Sequence, residues 1–86
     1  MIEIFNYYEK LVIGQINRVC EAHQINLSSD ANQDIACLAL NQLPPRYIRH
    51  AIDASFYIPD EERAQMSIDV EKAVNNAMEK VTDNPR

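Results

Sequence analysis

One glycine, Gly14, is all that this chain of 86 residues contains. Two-residue hairpins draw heavily on glycine for their positive-φ positions, and an all-β sandwich or barrel of this length needs several such turns. Helices are therefore favoured. With 47% of its residues hydrophobic, the chain holds enough apolar surface for one compact core and too little for two, so a single domain over residues 1–86 is expected.

No run of 18 apolar residues occurs, and Met1-Ile2-Glu3-Ile4 lacks the basic segment and apolar stretch of a secretion signal. A cytoplasmic protein with no membrane association is expected. Thirteen acidic against eight basic side chains give a net charge of −5, which excludes a general attraction to nucleic-acid polymers or anionic membranes. Any anion site must be local. Cys20 and Cys37 have no disulfide-framework spacing and read as small buried hydrophobes kept reduced in the cytoplasm.

The pattern predicts a first helix from about Ile4 to His23, with Phe5, Tyr8, Val12, Ile16 and Val19 on one face at steps of three and four. Leu11, Ile13 and Cys20 lie off that stripe and widen the apolar arc beyond what one partner covers. A second partner is implied. Gly14 in mid-helix costs roughly 1 kcal/mol relative to alanine, a cost best understood if another backbone approaches closely there, with a neutral exposed position as the alternative. Gln24 to Ala31, with Asn26, Ser28, Ser29 and Asp30, reads as a loop of turn and cap residues.

A second helix is expected over about Asp30 to Leu43. Its stretch Ile35-Ala36-Cys37-Leu38-Ala39-Leu40 is apolar on every side and must be buried on most faces, within the monomer or at a subunit contact. Pro44 and Pro45 end it. Beyond them, Ile48, His50, Ile52, Ala54, Phe56 and Ile58 alternate with Arg49, Ala51, Asp53, Ser55 and Tyr57. That spacing is a strand signature, while Pro45, Tyr47, Ala51 and Ala54 fit a helix, and both readings stand for residues 46–58. A lone short strand near residues 46–53 would have unpaired backbone groups, which pairing with its copy across a homodimer would satisfy.

The last helix is predicted from Pro59 or Asp60 to about Thr82, opened by Asp60, Glu61 and Glu62 at the positive end of its dipole. Ala64, Ile68, Val74, Ala77, Met78 and Val81 form the inward stripe in this reading, and Glu71, Lys72, Asn75, Asn76, Glu79 and Lys80 face water. The tail from Asp83 to Arg86 is expected to fray. The fold class is thus mainly α, with three main helices and at most one short strand.

The string Asp34-Ile35-Ala36-Cys37-Leu38-Ala39-Leu40-Asn41-Gln42-Leu43-Pro44-Pro45-Arg46-Tyr47 resembles the central signature of the late-competence-development ComFB family. Asn6-Tyr7-Tyr8-Glu9-Lys10-Leu11-Val12 near the start, and Val70, Ala73, Val74, Ala77 and Val81 ahead of Asn84-Pro85, extend the likeness over most of the chain. The resemblance implies a small helical bacterial homodimer without known catalytic activity, linked by name to natural transformation. Some relatives, notably cyanobacterial ones, are receptors for cyclic dinucleotide second messengers. Others hold zinc through a cysteine cluster ahead of the signature. Here Glu21 to Gln33 contains no cysteine, so neither a structural metal nor another cofactor is expected.

Arg46, Tyr47, Arg49 and His50 concentrate positive charge beside an aromatic ring in an otherwise acidic chain. Arginine pairs bidentately with phosphate and stacks on purines, and tyrosine stacks as well, so these four residues are the candidate ligand site. In a two-fold dimer the cluster occurs twice, matching the two phosphates and two bases of cyclic di-GMP or cyclic di-AMP. The competing reading has Arg46 and Arg49 solvated and paired with Asp53, Asp60 or Glu61, and Asn41 as a helix end.

Cys20, His23 and Cys37 could supply three zinc ligands, but no fourth soft ligand accompanies them. A Ser-His-Asp or Cys-His site lacks a strained nucleophile turn and a glycine-rich oxyanion loop, so no enzyme is expected. Tyr7, Tyr8, Tyr47 and Tyr57 suit core and interface roles better than a single-strand platform, given the acidic charge. Two functional classes follow: a regulatory cyclic-dinucleotide receptor acting on a downstream protein, and an adaptor homodimer with no small ligand. The sequence identifies neither the ligand nor that protein.

Overall fold

The first helix begins where Asn6 stops it from beginning earlier. Asn6 is extended (φ −81°, ψ 117°) and its side chain accepts the Tyr8 N–H, the geometry of a helix N-cap. Helix α1 therefore covers Tyr7–His23, and the preceding residues Phe5–Asn6 form a short strand, β1, where a helix starting at Ile4 was expected. The computed structural model describes residues 3–50 and 54–83.

Helix α1 ends at Gln24, which takes the left-handed conformation (φ 53°) that commonly closes helices, and Ile25 N–H bonds back to Cys20 O at 2.9 Å. Ser28 then caps α2 (Ser29–Asn41), its Oγ accepting the Ala31 N–H at 3.1 Å. The helix closes through Gln42, and Leu43 N–H reaches Leu40 O just before the two prolines. Asn41 is the exposed last residue of that helix, the end role expected for it.

After the prolines, Tyr47–Ile48 form β2, antiparallel to β1 with Phe5 opposite Ile48 and Asn6 opposite Tyr47. The strand thus has a partner within its own chain, in place of the lone strand expected, and the chain bends at Arg49. Four residues, Ala54–Tyr57, make the one-turn helix α3. Both readings of residues 46–58 hold in part, strand for Tyr47–Ile48 and helix for Ala54–Tyr57. Residues 51–53, where the alternation would continue, lie outside the described residues. Phe56 is 83% exposed while Ile48 and Ile58 are buried, because the turn of helix breaks the period of two.

Helix α4 (Asp60–Asp83) lies against both α1 and α2 and closes the core. Its buried residues are Met66, Val70, Ala73, Val74 and Ala77. The stripe expected through Ala64 and Ile68 is out of register at its N-terminal end, since both are exposed, while Val74 and Ala77 face inward and Met78 and Val81 are half-buried. Continuity decides the register: the row through Met66 and Val70 runs unbroken into Ala73, Val74 and Ala77, whereas the row through Ala64 and Ile68 meets Glu71 and Asn75.

Tyr8, Val12 and Ile16 from α1 and Ile35 and Ala39 from α2 complete the core. Burial first, then the carboxylates of Asp69 and Glu62, push the Tyr8 phenol above its ordinary 10.0, with Arg46 opposing. Tyr8 stays uncharged in the neutral range, and its stabilising effect is lost only as pH rises from 10.0 through the raised value.

The expectation that both cysteines are buried is corrected. Cys37 is exposed and Cys20 half-buried, because α2 turns only Ile35 and Ala39 fully inward and leaves Cys37 on the outer side. Among the described residues an added Cβ at Gly14 would meet only the Arg18 guanidinium, at 3.6 Å, so the close backbone considered for this position does not come from the described part of its own chain.

Candidate functional site

The segment after Pro45 is held in place from its first residue. Arg46 N–H donates to Asn6 Oδ1 at 2.9 Å, and Tyr7 N–H donates to Arg46 O at 2.7 Å. The same Asn6 oxygen that caps α1 therefore also fixes the entry to β2. Ile48, 6% exposed, anchors the strand from below and leaves Tyr47 facing outward.

The Arg46 guanidinium lies between two elements. Its Nε donates to Glu62 Oε2 at 2.8 Å and its Nη2 donates to the Tyr57 carbonyl at 3.0 Å. The ion-pair partner is Glu62; Asp60 and Glu61 do not fill that role, and Asp60 is held instead by Arg63. Both side chains of the Arg46–Glu62 pair are partly exposed, at 37% and 41%, so the pair contributes at most about 1 kcal/mol to stability. Among the described residues no carboxylate pairs with Arg49. Asp53, the other partner considered, lies outside them.

Arg46, Tyr47, Ile48, Arg49 and Tyr57 line an open concavity of about 380 Å³. Three of the four residues singled out from the sequence are thus brought together. His50 is exposed and is not part of the lining. Tyr57, carried in from α3 and 67% exposed, is the addition. Its position in the alternating run gave no sign of this, since only the α3 turn brings its carbonyl within 3.0 Å of Arg46 Nη2. Tyr7 and Tyr8 pack into or against the core and take no part.

The chemistry available here is recognition. Two guanidinium groups offer planar forks to phosphate oxygens, and two exposed phenol rings offer faces for stacking on a base. Among the described residues no three His, Cys, Asp or Glu side chains stand close enough together to hold a metal ion. No described helix is long and apolar enough to cross a membrane.

The sequence model of the family described as late competence development protein ComFB matches residues 5–85. The chain belongs to that family. The ComFB match takes in every element from β1 to α4, so the strand pair and the concavity lie inside the shared region. Membership makes this a small protein of the late-competence type. No curated protein matches the sequence.

Proposed function

We propose that this ComFB-family chain is a non-enzymatic cytoplasmic regulatory protein that works as a homodimer and binds a cyclic dinucleotide through the surface formed by Arg46, Tyr47, Arg49 and Tyr57, with His50 at its edge. The observation that carries this reading is the joining of two arginines and two exposed tyrosines around one concavity in a chain of net charge −5. Its volume of about 380 Å³ falls at the low end of the roughly 300–1,000 Å³ typical of ligand sites, a fit to part of a dinucleotide per protomer. That some relatives in the family are cyclic-dinucleotide receptors supports the same ligand class.

Calorimetric titration of the full chain with cyclic di-GMP and cyclic di-AMP is the test. Binding by either is expected, with a raised melting temperature. Arg46→Ala and Arg49→Ala should each weaken it by about 1.5–3 kcal/mol, the scale of a charged hydrogen bond. Arg49→Ala is the cleaner variant, because Arg46 also joins β2 to α3 and α4. Absence of heat and of any thermal shift with both ligands removes the receptor reading.

Dimerisation is supported by the apolar surface a single copy leaves in water. The radius of gyration is 13.6 Å, against about 12 Å for a compact domain of this length. Ile13, 56% exposed, together with Ile16 and Ala36, borders a groove between α1 and α2 beside the unexplained Gly14. Sedimentation should report a species near twice 9.9 kDa, and Ile13→Arg should shift it toward the monomer. A monomer that persists at high concentration would defeat this part of the reading.

The adaptor reading keeps one observation in its favour, the commitment of Arg46 to Glu62 and to the Tyr57 carbonyl. A dimer that binds neither dinucleotide would select it.

A further inference from the structure

Arginine carries five N–H groups in one plane, and two of those on Arg46 are already engaged. Nε–H is on Glu62 Oε2 at 2.8 Å and one Nη2–H is on the Tyr57 carbonyl at 3.0 Å. Two acceptors at two different nitrogens fix the plane of the guanidinium as well as its position. Glu62 itself does not line the concavity that Arg46 and Tyr57 share, so its carboxylate grips the arginine from outside the surface where a ligand would sit. Among the described residues no acceptor meets either N–H of Nη1 or the second of Nη2, and these are the donors left for phosphate oxygens.

We infer that Glu62 is a positioning residue for ligand binding: it holds Arg46 so that its Nη1 end is presented to a phosphate of the bound dinucleotide. This inference rests on the receptor reading above. Its physical content is preorganisation. A free arginine loses rotamer entropy when it engages a ligand, whereas one already held by Glu62 and Tyr57 loses less. Glu62 also carries a negative charge close to an anionic ligand, which by itself would weaken binding. The two effects have opposite signs, so the direction of the change on mutation separates them.

The experiment is titration of the full chain with whichever of cyclic di-GMP and cyclic di-AMP the wild type binds, alongside thermal melts. Glu62→Ala should weaken binding about three- to tenfold, the scale of immobilising one long side chain. Glu62→Gln, which keeps an acceptor for Nε–H without the charge, should stay within about twofold of wild type. Glu62→Met, similar in size and helix preference but lacking any acceptor, should behave like alanine and covers the case in which the alanine variant does not fold. In an Arg46→Ala background, where no guanidinium is left to be held, Glu62→Ala should no longer weaken binding, an outcome a general structural role would not give. Tighter binding in both the alanine and glutamine variants would overturn the inference and make Glu62 a competitor of the ligand. Unchanged affinity in the alanine and methionine variants would overturn it while leaving the receptor reading intact. Failure of the wild type to bind either dinucleotide would overturn the receptor reading and the inference with it.

Discussion

Replacing Ile35 with alanine is expected to lower the unfolding free energy by about 2–5 kcal/mol, the range for removing a large aliphatic side chain from a packed core. Ile35 is 1% exposed and stands on the inner side of α2, which α1 and α4 both pack against. Little can move in to fill the space, because fully buried residues of the same core, Val12 and Val74 among them, are themselves β-branched and stiff. For a domain of this size the melting temperature should fall by roughly 4–8 °C for each kcal/mol lost. Ile35→Val removes a single methyl group and should cost about 0.5–1.5 kcal/mol. Cys37→Ala, two positions away but exposed, serves as the control and should stay within about 0.5 kcal/mol of wild type. Urea denaturation followed by circular dichroism measures all three. A loss below about 1 kcal/mol for Ile35→Ala, or a Cys37 variant as damaging, would mean that α2 presents a different face to the core.

Asn6→Ala is the second large effect, and it comes from one oxygen atom. Asn6 Oδ1 accepts the Tyr8 N–H at 3.2 Å, capping α1, and the Arg46 N–H at 2.9 Å, fixing the start of β2. Loss of a helix cap costs about 0.5–2 kcal/mol. The Arg46 amide, partly buried and left without its acceptor, adds about 1–3 kcal/mol. The two losses share a single side chain, so a total near 2–4 kcal/mol is expected. Asn6→Asp retains an acceptor in the same place, with a charge that suits a helix N-terminus, and should recover most of the difference. The amide proton of Arg46 gives a local readout. Its hydrogen exchange should accelerate in Asn6→Ala beyond the change accounted for by global stability, and remain slow in Asn6→Asp. Equal exchange rates in both variants, after correction for stability, would refute the shared-acceptor arrangement.

These two sites illustrate different kinds of legibility. The core of α1 follows from spacing, since Tyr8, Val12 and Ile16 recur at steps of four and are buried together. Asn6 was visible as part of a family signature, but nothing local in Phe5–Asn6 announces a strand. Two residues are too few to display a period, and they become a strand only because Tyr47–Ile48, some forty positions later, returns to lie beside them. The candidate site divides in the same way. Arg46, Tyr47 and Arg49 were legible as a local concentration of charge and aromatic surface, while Tyr57 and Glu62 reach Arg46 through the path of the chain after Ile48.

Sequence alone therefore determined the helical class, the stop at Pro44, the acidic opening of α4 and the family, because each depends on residues within a few positions of one another or on a contiguous motif. Only the tertiary structure decided the register of α4, the exposure of Cys37, the pairing of β2 with β1 and the hold of Glu62 on Arg46. The physical reason is that these depend on which surfaces meet once the helices pack, and a linear pattern with two near-equal apolar rows or a charge with several possible partners does not encode that choice locally.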